Sequence, residues 1–190
     1  MSESASRSSD STGTGKNELW EWTKALLMAI ALAVIIRTFL FAPFLVDGES
    51  MAPNLADQER LIVNKVIYLI REPKRGEIVV FHATPEKDYI KRVVGLPGET
   101  IEFKDDQLYI DGEIVPEPEL EHIEAAYREN GISYTRDFGP VHIPEGHLFV
   151  MGDNRPNSED SRELGPIPLE TVVGRADLSF WPLPQFRLLH

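Results

Sequence analysis

The first part of the apolar pattern along the chain predicts a membrane anchor. Residues 1–17 are rich in Ser, Thr and Gly, a composition typical of a disordered tail. Ala25 to Ile36 is uninterrupted apolar sequence, and apolar residues continue on either side of it. A bilayer crossing needs about 20 such residues, and the segment from Trp20 to Phe41 supplies that length. We therefore expect an uncleaved, single-pass anchor over residues 18–42, which Pro43 would end.

Two other interpretations of the apolar segment remain open. Small residues at Ala29, Ala31 and Ala33 would suit a cleavable signal peptide, although they lie inside the apolar run rather than after it. A buried helix of a soluble protein is the second possibility. Charge determines the orientation poorly, because three Lys or Arg residues precede the apolar run at Ala25 while Arg60 and Lys65 follow the span.

Beyond residue 46 the apolar pattern becomes a series of short runs, separated by turns that contain Pro, Gly or Asp. Short strands at regular spacing indicate an all-β domain. One helix is predicted at Pro118 to Asn130, with Pro118 in its first turn and Gly131 just past its end. The predicted strands are Arg60–Val66, Glu77–His82, Tyr89–Val94, Glu99–Phe103, Gln107–Ile110, His147–Met151 and Val172–Ala176.

Composition and charge exclude several classes of protein. A chain of 190 residues suits one domain of ordinary size with a small appendage. The formal net charge of −12 belongs entirely to residues 47–190, because the charges of residues 1–46 cancel. We therefore expect no nucleic-acid partner, since such proteins need a basic face. The chain has no cysteine, and its five histidines lack metal-ligand spacing, so we expect no disulfide, no metal and no cofactor.

Ser50 is the first candidate for chemistry, in the segment VDGESM directly after the apolar run. The pentapeptide GESMA at 48–52 has only half of the G-x-S-x-G elbow of α/β-hydrolases, and no alternation of strands and helices surrounds it. The S-x-x-K pattern also fails, because Pro53 stands at the lysine position. Taken alone, this pattern is typical of a loop serine.

Lys91 is the second candidate, in the mostly apolar segment DYIKRVV at 88–94. Alternation along a strand places Lys91 and Arg92 on opposite faces, so one cation is buried whichever face packs on the core. An edge lysine whose amine reaches water is the simple interpretation. A buried lysine would favour its neutral form, and a neutral amine can act as a general base.

The segment MGDNRPNSEDSR at 151–162 is the third candidate. A calcium loop does not fit, because Arg155 stands where an acidic or amide ligand is needed. A solvated turn remains possible. The balance of Asp153 and Asp160 against Arg155 and Arg162 predicts an internal network of ion pairs that makes the loop rigid.

Together, and in this order, these segments resemble the type I signal peptidases, the membrane-bound leader peptidases of bacteria. The resemblance covers about residues 20–185. The matching motifs are IRTF at 36–39, GESMAPNL at 48–55, YIKRVVGLPGE at 89–99, and GDNR at 152–155 followed by Ser158, Asp160, Ser161 and Arg162.

The resemblance implies a catalytic dyad. Ser50 would be the nucleophile and Lys91 its general base, with Ser158 hydrogen-bonded to the amine. The backbone N–H of Ser50 would stabilise the oxyanion together with position 48. Enterobacterial members have a serine donor there, whereas this chain has Gly48, as in the shorter Gram-positive form. An ion-pair scaffold would be formed by Arg92, Asp153, Arg155, Asp160 and Arg162.

The resemblance also implies a substrate site. A signal peptide would add as a strand beside residues 44–48 and 88–91, with its small residues at −3 and −1 in shallow apolar pockets. The implied substrate-binding residues are Phe44, Val46, Asp47, Met51, Leu55, Asp88, Tyr89 and Ile90.

The resemblance implies a mainly β fold, a LexA-like antiparallel β catalytic core that follows one transmembrane helix. The expected division is a cytoplasmic tail at 1–17, the anchor at 18–42, the catalytic domain at 43–100 and 144–190, and a small inserted lobe at 101–143. The expected activity is that of a serine endopeptidase that removes signal peptides from pre-proteins. The catalytic domain would lie on the extracytoplasmic side of the plasma membrane, or of a thylakoid, in contact with the bilayer.

Two alternatives stay open at this point. A self-cleaving repressor domain shares the Ser-Lys core, but it would need a DNA-binding module and no membrane span. A membrane-tethered β-domain that binds partner proteins without catalysis would not need Ser50 and Lys91 in contact.

Overall fold

A computed structural model of the chain describes residues 14–189. The chain divides into two compact units, Met1–Leu40 and Phe41–His190. Residues 1–13 of the tail predicted to be disordered lie outside the described residues. The prediction is wrong for residues 14–17, which form the first turn of a helix.

The described part of the first unit is a single apolar helix. Helix α1 (Thr14–Ile35) continues through a π-helical turn at Ile36–Leu40. The stretch Glu18–Thr38 is long and apolar enough to cross a membrane. The predicted anchor extended to residue 42, but the chain leaves the helix at Leu40 and a strand begins at the next residue. The apolar run thus contains both a helix and a strand, which apolar composition alone does not separate.

The second unit consists of antiparallel strands with three short α-helices and some single 3-10 turns. The helices are α2 (Ile67–Ile70), α3 (Glu121–Glu129) and α4 (Ser161–Leu164). The strands, in chain order, are β1 (Phe41–Leu45), β2 (Arg60–Asn64), β3 (Ile78–Thr84), β4 (Lys87–Gly95), β5 (Thr100–Lys104), β6 (Gln107–Ile110), β7 (Glu113–Val115), β8 (Phe138–His142), β9 (His147–Met151), β10 (Ile167–Pro168), β11 (Val172–Trp181) and β12 (Arg187–Leu188).

Two sheets account for these strands. The larger sheet has the order β1-β2-β11-β3-β4-β9-β10, with β12 paired to β11. The smaller sheet has the order β7-β6-β5-β8 and is made by residues 100–142. The prediction of a mainly β, antiparallel fold is confirmed. Strand β4 lies inside the larger sheet between β3 and β9, and this position determines how its two cations are buried.

The elements that sequence reasoning missed or extended are short or contain proline. The predicted helix at 118–130 is shorter, Glu121–Glu129, because the chain enters it through a turn that ends at Leu120. Strands β1, β8 and β10 each contain a proline, a residue that usually argues against a strand interior. In β1 the proline is tolerated because this strand lies at the edge of the sheet.

Candidate active site

Ser50 lies in a tight turn that follows strand β1. The turn is held by Asn154, whose backbone N–H donates to the Ser50 carbonyl oxygen at 3.0 Å. The side-chain amide of Asn154 donates to the Glu49 carbonyl oxygen at 3.1 Å. Gly48 has a φ of +94°, a conformation that a residue with a Cβ rarely adopts. These contacts fix the orientation of Ser50 relative to the loop that contains Asn154.

The side chains of Ser50 and Lys91 are in contact, although 41 residues separate them in sequence. Lys91 Nζ lies 2.8 Å from Ser50 Oγ. Strand β4 is covered on both faces, so Lys91 is only 3% exposed and Arg92 only 6%. Alternation predicted that one of these cations would be buried, and the structure buries both. An amine within hydrogen-bond distance of a hydroxyl can take its proton, provided that the amine is neutral.

Burial lowers the pKa of the Lys91 amine below its ordinary value of 10.5. The carboxylates of Asp160, Glu159 and Asp153 act in the opposite direction, because they stabilise the ammonium ion. Arg162 adds to the lowering. The net shift is downward, so the neutral amine that a general base requires is present at a lower pH than in an exposed lysine.

Asp160 is the main partner of the loop that approaches Lys91. Its Oδ2 accepts hydrogen bonds from the hydroxyl of Ser158 at 2.8 Å and from the backbone N–H of Gly152 at 2.9 Å. Arg162 donates to both of its oxygens, each at 2.8 Å. Burial raises the pKa of Asp160, but these hydrogen bonds and the charge of Arg162 outweigh burial and lower it. Asp160 is therefore an ionised carboxylate held in one position.

Ser158 differs from the sequence-based expectation. The resemblance implied a hydrogen bond between Ser158 and the Lys91 amine, whereas the structure directs the Ser158 hydroxyl to Asp160. The physical reason is that a carboxylate is a stronger acceptor than an amine nitrogen. Ser158 therefore reaches Lys91 indirectly, through the carboxylate whose charge acts on the amine.

Asp153 is fully buried, and its partners come from other segments of the chain. Arg92 donates to its two oxygens at 2.8 and 2.6 Å, and the side-chain amide of Asn54 donates to Oδ2 at 2.9 Å. The hydroxyl of Tyr134 donates to its carbonyl oxygen. Asp153 thus joins the strand that carries Lys91 to the segment that follows Ser50.

Arg155 is also buried. Its Nε donates to the Gly152 carbonyl oxygen at 3.1 Å, and its other side-chain partners lie between residues 101 and 143. Its guanidinium donates to Glu117 at 2.5 and 3.1 Å and to the Thr135 hydroxyl at 3.3 Å. The predicted ion-pair network within 151–162 is therefore wrong in part. Only the Asp160–Arg162 pair lies within that segment, while Asp153 and Arg155 pair with distant residues. Charge balance within a segment does not reveal which partners the fold brings in.

Gly152 allows the closest approach in the site. A Cβ built on Gly152 would overlap the side chain of Ser158 and the carbonyl oxygen of Ser50. Any side chain at this position would therefore push apart the two loops that meet behind the Ser50 turn.

A cleft of about 230 Å³ is lined by Ser50 and Lys91. The other residues that line it are Leu45, Val46, Asp47, Met51, Asp88, Tyr89, Ile90 and Glu159. Of the predicted substrate-binding residues, Val46, Asp47, Met51, Asp88, Tyr89 and Ile90 are brought together here.

Two residues predicted to bind substrate do not line the cleft. Leu55 is fully buried in the core next to Met51, and Phe44 packs against the same core. Phe44 points inward because side chains alternate along β1, and Leu45 is exposed for the same reason. Leu45 and Glu159 line the cleft although sequence reasoning did not select them. Leu45 lies between the predicted binding residues Phe44 and Val46, and Glu159 follows Ser158. Their position next to predicted site residues is the only sequence feature that could have identified them.

The two predicted oxyanion donors, the backbone N–H groups of Gly48 and Ser50, differ in whether they already donate a hydrogen bond. The backbone N–H of Gly48 donates to Asp57 Oδ1 at 2.8 Å, so it is already engaged. Within residues 14–189, no hydrogen bond uses the backbone N–H of Ser50. The N–H of Ser50 is therefore the donor that remains open to a ligand in the cleft.

Comparisons with known proteins point to one family. The family model for signal peptidase, peptidase S26, matches residues 19–181. Signal peptidase I from Bacillus amyloliquefaciens is 49% identical over 173 residues, which cover 90% of this chain and 90% of the relative. Signal peptidase I T from Bacillus subtilis is 47% identical over 190 residues and 98% of both chains.

A solved structure is also similar. It is that of a signal peptidase I from Enterococcus faecalis, with 38% sequence identity, a TM-score of 0.49, and coverage of 56% of this chain and 97% of that one. The family model spans both the apolar helix and the β domain that carries the serine–lysine pair. The chain therefore belongs to the signal peptidase family, peptidase S26, and is a serine endopeptidase.

Proposed function

We propose that this protein is a membrane-bound signal peptidase that cuts pre-proteins after small residues at −3 and −1, with Ser50 as nucleophile and Lys91 as general base. The observation that carries the proposal is the 2.8 Å contact between Lys91 Nζ and Ser50 Oγ, with the amine buried and its pKa lowered. A non-enzymatic β-domain would have no use for a buried lysine, because burying a cation is costly.

The reaction would proceed through an acyl-enzyme. Ser50 Oγ attacks the carbonyl carbon of the scissile bond while its proton passes to Lys91 Nζ. The N–H of Ser50 donates to the oxyanion that forms. Lys91 then gives the proton to the nitrogen of the departing mature chain. In the second half, Lys91 takes a proton from water while the water oxygen attacks the ester carbonyl. Lys91 then returns that proton to Ser50 Oγ, so the signal peptide leaves as a carboxylic acid and the neutral amine and the hydroxyl are restored.

The shape of the cleft favours a small side chain beside the nucleophile. Val46 and Met51 form an apolar part of its wall, and both are almost fully buried, so they have little room to move aside. The substrate strand would lie between residues 45–47 and 88–90, which line the cleft from β1 and β4. In this arrangement backbone hydrogen bonds supply affinity and the pockets supply specificity.

The proposed topology follows from the expected division of the chain. The apolar helix anchors the protein, and residues 43–100 and 144–190 form the catalytic domain on the extracytoplasmic side of the plasma membrane. The residues between, 101–143, form the inserted lobe, and their strands make the smaller sheet.

Cleavage of a defined pre-protein by the full chain in detergent tests this proposal. We expect one cut, after alanine at −1, identified by the mass of the released mature chain. Replacing that alanine with leucine should lower kcat/KM at least tenfold, because a narrow pocket rejects added bulk by clash. The same replacement at −2 is the matched control and should have a smaller effect. Equal rates for leucine and alanine at −1 would contradict the proposed pocket.

A second prediction concerns Gly152. We expect Gly152→Ala to lower the free energy of unfolding by about 1–3 kcal/mol, because overpacking forces the surrounding atoms to shift. Activity should fall about tenfold or more, because the displaced atoms include the carbonyl of Ser50. Chemical denaturation and the peptide-cleavage rate measure the two effects.

Gly146 provides the comparison for Gly152. Its φ is +73° and a Cβ there would meet open space, so Gly146→Ala costs stability through backbone strain alone. We expect it to destabilise the protein while leaving the cleavage rate of the folded protein unchanged. A rate loss in Gly146→Ala as large as that in Gly152→Ala would show that the effect is not specific to the site.

A further inference from the structure

A hydrogen bond crosses the rim of the cleft between two segments that are far apart in sequence. The hydroxyl of Tyr89, on strand β4, donates to Glu159 Oε2 at 2.8 Å. Glu159 lies in the loop before α4, and both residues line the cleft. Tyr89 was expected to contact substrate, whereas nothing in the mechanism above uses Glu159.

The ring of Tyr89 is held over the amine of Lys91. Alternation places both side chains on the same face of β4, and Lys91 Nζ lies 5.0 Å from the ring centroid. The ring also packs against buried Phe81 in a T-shaped arrangement, at 6.1 Å between centroids. The ring is therefore held close to the amine, and its hydroxyl is hydrogen-bonded to Glu159.

Glu159 differs from the other carboxylates that act on Lys91. Asp160 is matched by Arg162, and Asp153 is matched by Arg92. Within residues 14–189, the side chain of Glu159 has one hydrogen bond, from the neutral phenol of Tyr89, and no ion pair. Its negative charge therefore acts on the amine without a cation to offset it.

Other charged groups near the amine are accounted for. Asp88 lines the cleft and lies 2.6 Å from His82 Nδ1. Asp47 also lines the cleft, from the segment after β1. The carboxylates that stabilise the ammonium form of Lys91 are Asp160, Glu159 and Asp153.

We propose that Glu159 is a positioning residue: it fastens Tyr89 over the Lys91 amine, and its unmatched charge sets the lower end of the pH range in which the dyad works. The inference rests on the proposed function, because it assumes that Lys91 is the general base. It deepens that function by assigning a positioning role to a residue outside the Ser50–Lys91 pair.

The sign of the effect follows from the charge. A carboxylate near an amine stabilises the ammonium form, so removing the carboxylate lowers the pKa of Lys91. The acid limb of the kcat/KM profile should then move to lower pH, since this profile reports groups in the free enzyme. A less basic amine is also a weaker proton acceptor, so the rate on the alkaline plateau should fall. The two profiles are expected to cross.

Two variants separate the effect of the Glu159 charge from the effect of its hydrogen bond with Tyr89. Glu159→Gln removes the charge while its amide oxygen still accepts from Tyr89, and we expect the acid limb to move down by about half a unit to one unit. Tyr89→Phe keeps the ring but frees the carboxylate, so we expect a smaller shift in the same direction. The double variant should show no shift beyond that of Glu159→Gln, because both changes act through one contact.

Glu163→Gln is the matched control, since Glu163 is an exposed glutamate four residues further on. We expect its pH profile to overlay that of the unmodified protein. An unchanged acid limb in Glu159→Gln, or an equal shift in Glu163→Gln, would overturn the inference.

These outcomes are distinct from a failure of the proposed function. If the unmodified protein cleaves the pre-protein and Lys91→Met does not, the dyad stands whatever Glu159 does. If Lys91→Met remains active, both the dyad and the role of Glu159 fall together.

Discussion

Replacing Ser50 with alanine, or Lys91 with methionine, is expected to reduce pre-protein cleavage by about 10⁴-fold or more. Members of a nucleophile–base unit each cost nearly the full activity when removed, because the remaining member has nothing to act on. The 2.8 Å contact between the two side chains is the basis for treating them as one unit. The double variant should therefore have about the same residual activity as either single variant. A long-incubation assay of the full chain in detergent measures these low rates.

Measuring the free energy of unfolding of each variant shows whether a loss of activity comes from lost catalysis or from unfolding. Lys91→Met should raise the free energy of unfolding, because methionine does not carry the cost of a buried cation. The pKa of Lys91 is lowered in the folded protein, so the unfolded chain binds more protons. The increase in unfolding free energy caused by Lys91→Met should be largest below the pKa of Lys91 in the folded protein. It should disappear as the pH rises past the ordinary lysine value of 10.5.

Lys87→Met provides the matched control for Lys91→Met. Lys87 begins the same strand but is exposed. We expect it to change neither activity nor stability appreciably. Substantial activity in Ser50→Ala or Lys91→Met would contradict the assignment of the dyad.

The second large effect is expected at Arg155. Arg155→Met should lower the free energy of unfolding by about 3–5 kcal/mol, because it leaves the mostly buried carboxylate of Glu117 without its partner. Urea unfolding of the detergent-solubilised chain measures this loss. Removing both charges, in Arg155→Met with Glu117→Leu, should recover part of it, since the unpaired charge is then absent.

Arg136→Met is the control for the arginine change, because Arg136 is an exposed arginine in the same part of the chain. We expect its unfolding free energy to stay within about 0.5 kcal/mol of the unmodified protein. A loss at Arg155 no larger than that at Arg136 would mean that the buried pair does not stabilise the fold.

The sequence was sufficient to predict those features that depend on local pattern. Alternation along 88–94 predicted a strand with opposed cations, and the spacing of Gly and Pro predicted the turns. Taken alone, the motif around Ser50 was typical of a loop serine and the motif around Lys91 of an edge lysine. Their order along the chain, together with the 151–162 segment, made the serine and the lysine a candidate pair.

The features that sequence reasoning missed depend on partners that are distant in sequence. Nothing in the pattern around Arg155 points to Glu117, 38 residues earlier, because only the packing of the two sheets brings them together. The hydroxyl of Ser158 was assigned to the amine, but it has a carboxylate two residues away as a better acceptor. The first two residues of strand β1 were assigned to the anchor, because apolar composition is the same in a lipid-facing helix and in an edge strand.

The contacts of Glu117, Tyr134 and Thr135 with the 153–155 loop have a consequence for how the chain can change through evolution. Although no residue between 101 and 143 lines the cleft, three of them hold the loop that positions Ser50. Residues 101–143 are therefore structurally coupled to the loop that positions Ser50. Deleting these residues would remove the hydrogen bonds that hold the 153–155 loop, on which the turn of Ser50 depends.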